Sequence, residues 1–106
     1  MKIDPHRKII QSQMRRRSRY RRAFLRTLRQ IDLAMLVREM REKAGLSQAE
    51  LAKKAQTTQS AIARLEDAEY TGHSLKMLEK IAAACEVKLT LHAERKPDFD
   101  REVVLV

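Results

Sequence analysis

Residues Ser47 to Glu66 read SQAELAKKAQTTQSAIARLE, and the fold is decided there. The stretch predicts two short helices about a tight turn: Gln48 to Ala55, then about Gln59 to Glu66, with Gln56, Thr57 and Thr58 at the corner. Ser47 stands as an N-cap with Glu50 three residues on. This is the spacing of a capping box, in which each side chain accepts from the other residue's free backbone N–H. Thr58 suits the same capping role for the second helix. Leu51, Ala55, Ile62 and Leu65 turn an apolar edge of both helices toward one core, and small Ala52 lets the helices cross closely. Gln59, Ser60, Ala63 and Arg64 are left facing outward on the second helix. That is a short polar face of the kind that reads base edges in a major groove.

On the N-terminal side, Leu33, Val37, Met40 and Ala44 continue, in slightly rotated phase, an apolar stripe formed by Phe24, Leu28, Ile31 and Met35. One long helix, or two with a break near Gln30–Leu33, is expected, ended by Ala44-Gly45-Leu46 with Gly45 in the left-handed position past the helix. On the C-terminal side, the loop DAEYTGHS leads to Ser74 as an N-cap. A helix from Leu75 to Cys85 follows, with Leu75, Leu78, Ile81, Ala82 and Cys85 inward. A plain loop role is expected for Tyr70 and His73, with phosphate contact as the alternative. Val87, Leu89, Leu91 and Ala93 alternate with polar residues at the period of a half-buried strand. A second apolar run, Val103–Val106, follows a loop at Arg95–Arg101, so the two runs can form a hairpin. Such a hairpin leaves edges for a dimer mate or another protein to cover.

The QAELA, TTQ and IxxLE elements of Ser47–Glu66 resemble the helix-turn-helix of the phage-repressor-like (XRE) family, over about Leu33 to Leu89. The fold this implies is mainly α: a lambda-repressor-like helix-turn-helix bundle with a basic N-terminal helical extension and a short C-terminal β strand or hairpin. The expected organisation is a flexible lead-in at 1–14, an Arg-rich amphipathic helical arm at 15–32, the helix-turn-helix domain at 33–85, and a β segment at 86–106. The family often has Gly where this chain has Gln56, a turn position that favours positive φ. Arg41 falls where the resemblance places an Arg paired with the Glu of the LE ending, here Glu66, clamping the first helix to the recognition helix. The phrases TTQSAIARLE and GHSLKMLEKIA, the helical arm and the terminal strand further resemble HigA-type antitoxins of type II toxin–antitoxin operons. That resemblance implies self-repression and a small RelE/HigB-like toxin as partner.

Charge is segregated along the chain. Residues 1–30 carry 11 Lys/Arg against one acid, whereas residues 31–106 carry 12 against 13, so the net +9 resides in the N-terminal block. Arg15, Arg19, Arg22, Arg26 and Arg29 lie along one face of the expected arm. Such a block favours a polyanion, nucleic acid first; a solvated arm, or a helix held by an acidic groove, is the alternative. The single cysteine fits a reducing cytoplasm and excludes an internal disulfide framework. No apolar run approaches the roughly 20 residues of a membrane span. His6, His73 and His92 lie in separate segments and offer no metal cluster. No nucleophile–base pair or phosphate loop suggests an enzyme, and no cofactor is expected.

The expected function is therefore a sequence-specific transcriptional regulator acting on double-stranded DNA. The DNA-contacting set comprises Gln48, Thr57, Thr58, Gln59, Ser60 and Arg64. Gln59 suits adenine, Arg64 a guanine or phosphate, and Gln48 and Thr58 at helix N-termini suit phosphates. One module rarely gives enough affinity, so a homodimer on an inverted-repeat operator is expected. A stand-alone repressor and an RNA-binding accessory protein are the competing readings.

Overall fold

A computed structural model describes residues 5–106 as four helices followed by a two-stranded hairpin. Helix α1 spans Pro5–Lys43, α2 Gln48–Lys54, α3 Gln59–Leu65 and α4 Leu75–Ala84; strands β1 and β2 are Thr90–Arg95 and Phe99–Val104. The fold is mainly α, as the sequence implied. The lead-in was expected to be flexible through Met14, but α1 is continuous from Pro5; residues 1–4 lie outside the described residues. Proline is tolerated at the first helical position because the N–H it lacks would be unbonded there anyway. Between Pro5 and Lys43 there is no Gly or further Pro to break the helix, so no break occurs near Gln30–Leu33.

Three helices end in the same way. Beyond α1, Gly45 takes φ 71°, with Leu46 N–H donating to Arg41 O and Gly45 N–H to Glu42 O. Gln56 does the same beyond α2 at φ 57°, with Thr57 N–H donating to Ala52 O at 2.8 Å. Glu86 does so beyond α4, also at φ 57°. This double bond pattern satisfies the last carbonyls of each helix. It closes the corner between α2 and α3 without glycine.

The core gathers Val37 and Met40 of α1, Leu51, Ala52 and the C-cap Ala55 at α2, Ile62 and Leu65 of α3, and Leu78, Ile81, Ala82 and Cys85 at α4. Leu51, Ile62, Ile81 and Val37 are fully buried, each worth about 1.5–3 kcal/mol of apolar transfer. Two expected inner residues lie outside this core: Ala44 and Leu75 are exposed, one past the end of α1 and the other at the first position of α4.

The expected phase of α1 also needs correction. Leu33, Val37 and Met40 turn toward the bundle, but Phe24, Leu28 and Met35 stay 55, 41 and 52 % exposed. From Ile31 to Leu33 is two residues, or about 200° of rotation at 3.6 residues per turn. The two stripes therefore lie on opposite sides of one helix.

In the hairpin, β1 pairs antiparallel with β2 from Thr90↔Val104 to Arg95↔Phe99. The loop expected at Arg95–Arg101 contracts to a tight turn at 96–98, with a cis Lys96–Pro97 peptide. Asp98 N–H donates to Arg95 O, and the Arg95 guanidinium donates twice to the Asp98 carboxylate at 2.9 Å. Phe99–Arg101 thereby join the strand. Val87 and Leu89 pack on the helical core instead of pairing, and Leu105 N–H donates to Leu89 O at 2.8 Å.

Candidate nucleic-acid interface

The second helix of the turn is seven residues long, and its two sides are chemically distinct. Ile62 and Leu65 are buried, whereas Gln59, Ser60, Ala63 and Arg64 are exposed. At 100° per residue the buried pair and the exposed group occupy opposing arcs, so packing of α3 aims the polar face outward. Thr58 caps the helix, its hydroxyl oxygen accepting from Ala61 N–H at 3.1 Å. Ser47 and Glu50 form both bonds of the capping box on α2, at 3.1 and 3.0 Å. The Glu50 carboxyl is held below the usual carboxylate range by the Ser47 backbone N–H first and the Ser47 hydroxyl second.

The site residues read from the sequence fall into two places. Thr57 and Thr58 at the corner adjoin Gln59 and Ser60, with Arg64 on the last turn of the same helix. Gln48 begins α2 and is half-buried, as is Thr57, while Thr58 is exposed. The five arginines of the arm stand elsewhere. From Arg15 to Arg29 every side chain of α1 is exposed, upstream of the segment that packs on the bundle. The outer face of α3 and the cationic stretch of α1 are thus separate surfaces.

Two contacts orient α3. Arg41 Nε donates to Glu66 Oε2 and Nη2 to Oε1, both at 2.8 Å, and Nη1 donates to Leu46 O at 3.0 Å. Only 15 % of the Arg41 side chain and 6 % of the Glu66 side chain is exposed. The shared hydrogen bonds with Glu66 push the Arg41 guanidinium pKa above its ordinary value. The second contact was not anticipated: His73 Nε2 lies 2.7 Å from Leu65 O, within hydrogen-bond reach of a carbonyl at the end of α3. Tyr70 meets the His73 ring edge-on at 5.3 Å and lies over Gly72, where a Cβ would run into its phenol. His73 is thus tied to the protein backbone, with nothing in its spacing to reveal that anchor. Burial pushes the Cys85 thiol up, as suits an inert core residue.

Two capped helices meeting at a tight corner, the second with a polar outer face, define a helix-turn-helix, a DNA-binding fold. The helix-turn-helix domain family matches residues 32–94; that span is over half of the 106-residue chain, and the chain belongs to this family. Curated proteins give no match to it. None of the described helices is long and apolar enough to cross a membrane.

Proposed function

We propose that the protein is a sequence-specific DNA-binding transcriptional regulator of the XRE type, and that it acts in the cytoplasm as the antitoxin of a type II toxin–antitoxin pair. The observation that carries the DNA reading is the outward polar arc of α3 opposite buried Ile62 and Leu65. In this reading Gln59 takes adenine in bidentate fashion, Ser60 a neighbouring base or backbone oxygen, and Arg64 a guanine or phosphate. Gln48, Thr57 and Thr58 set the register on phosphates. Arg15, Arg19, Arg22, Arg26 and Arg29 add sequence-independent attraction. A two-fold homodimer on an inverted repeat supplies the second reading head.

The antitoxin role rests on the resemblance and on the hairpin. Leu91, Phe99 and Val103 share one sheet face, are 48, 49 and 41 % exposed, and adjoin two unpaired edges. A two-stranded sheet is marginal alone, so this element suits strand addition to a RelE/HigB-like toxin. The Arg-rich arm suits a basic toxin poorly, since like charges repel across a contact. A stand-alone repressor shares the DNA chemistry and differs only in lacking the toxin. An RNA-binding accessory protein would use the arm and leave the α3 face idle.

Selection of binding sites from random duplex, with affinity then measured over a salt series, tests the regulator. Recovery of an inverted repeat preferred over structured RNA supports it; equal affinity for any polyanion overturns it. Co-expression with a RelE/HigB-like toxin tests the antitoxin role: relief of toxicity and a co-purifying complex support it, and growth arrest with no complex overturns it.

A further inference from the structure

Helix α3 is seven residues long, about two turns, so the carbonyls of its last turn depend on donors from beyond the helix. Arg64 O accepts from Asp67 N–H at 3.0 Å. The next carbonyl, that of Leu65, has lost its helical donor: the N–H four residues on, that of Glu69, donates to the Asp67 carboxylate at 2.9 Å. The chain leaves the helical path there, and His73 supplies the missing donor. A carbonyl oxygen can only accept, so across the 2.7 Å contact it is the His73 Nε2–H that donates. The imidazole is itself set by its neighbours. The Tyr70 ring meets it edge-on at 5.3 Å, and Tyr70 can lie there because Gly72 has no side chain to displace its phenol. This brace reaches Arg64 in two ways. The Arg64 backbone is one residue from the held carbonyl, and its side chain shares with Tyr70, Gly72 and Met77 the lining of a cavity of about 100 Å³.

We propose that His73, braced by Tyr70, is a positioning residue for Arg64: it touches no nucleic acid, yet sets the strength of the operator contact that Arg64 makes. The inference rests on the DNA-binding reading and deepens it. An exposed arginine on the last turn of so short a helix moves with any fraying of that turn, and fraying starts where end carbonyls lack donors. The Arg41–Glu66 pair holds this end of α3 through a side chain; His73 holds its main chain. Gln59 stands apart from the brace. It lies six residues from Leu65, about 9 Å along the helix axis, beside the corner that Thr58 caps at 3.1 Å. Loosening the far end is therefore felt at Arg64 and not at Gln59.

Double-variant cycles on an operator selected by the wild-type protein test this, with circular dichroism fixing a temperature at which each variant is folded. His73→Phe keeps a ring against Tyr70 and loses the donor. It is expected to weaken operator binding roughly tenfold, within the range for groups coupled through a shared backbone contact. In an Arg64→Ala background the same change is expected to cost nothing further; in a Gln59→Ala background its cost is expected to persist in full. His73→Gln, whose side-chain amide stands in for Nε2–H, is expected to restore most of the wild-type affinity. Tyr70→Leu leaves the donor and removes the ring that orients it, and carries the test if His73→Phe does not fold. It is expected to show a smaller loss with the same dependence on Arg64. Wild-type affinity in His73→Phe overturns the proposal, and so does a loss as large without the Arg64 side chain as with it. Failure of the wild type to prefer any duplex sequence is a separate result, which overturns the DNA-binding reading and this proposal with it.

Discussion

Arg41 and Glu66, 25 residues apart in sequence, meet in a two-pronged ion pair that joins the end of α1 to the end of α3, and the same guanidinium holds the Leu46 carbonyl. Breaking a largely buried pair strands the remaining charge. Glu66→Ala is expected to cost about 3 kcal/mol, with Glu66→Gln costing less because one hydrogen bond survives. Denaturant titration checks both; a midpoint unmoved by Glu66→Ala contradicts the clamp.

Gln56 occupies left-handed backbone at φ 57°, where a side chain costs about 1 kcal/mol or more. Glycine removes that strain and returns some of the gain as unfolded-chain entropy. Gln56→Gly is therefore expected to be neutral or to stabilise by up to about 1 kcal/mol, leaving the turn intact. A loss of stability would show that the Gln56 side chain makes a contribution its backbone does not account for.

The capping box predicts acid sensitivity. The folded Glu50 carboxyl lies below its ordinary range because it accepts from Ser47. Its contribution is complete above the unfolded carboxylate pKa and disappears as pH falls through the folded value. Ser47→Ala is expected to cost about 1 kcal/mol near neutral pH. The backbone N–H at position 47 still donates to Glu50 in that variant, so it is Glu50→Gln that should flatten the acid limb of the stability curve; a parallel acid limb in wild type and Glu50→Gln would count against the linkage.

Replacing Arg15, Arg19, Arg22 and Arg26 with Gln is expected to weaken binding to all duplexes alike. The slope of log affinity against log salt should fall by up to about 3–4, at roughly 0.9 per phosphate contact. A change in sequence preference instead would move the arginines from attraction to readout.

The helix-turn-helix was legible because its signals are local. Ser47, Glu50 and Thr58 cap within three residues of themselves, and Leu51, Ile62 and Leu65 mark the inward side within a turn or two. What was misread depends on context. Phe24–Met35 and Leu33–Met40 form one apolar run to the eye, yet two residues of offset reverse their facing, and only the bundle shows which side is covered. The hairpin boundary was missed because Phe99–Arg101 are exposed, so burial prints no period on them. His73 reaches the Leu65 carbonyl through the path of a loop, which no residue spacing records. The stretch expected as a flexible lead-in is helical from Pro5, because a proline suits the first turn of a helix.

The central claim is that the outer face of α3 reads base sequence, and Gln59→Ala on a selected operator tests it most directly. The variant is expected to lose about 1–3 kcal/mol of binding on the selected site, to relax preference at one base pair in each half-site, and to bind unrelated duplex as the wild type does. An equal loss on every duplex, with the preference at that position retained, would make Gln59 a phosphate contact and contradict the account.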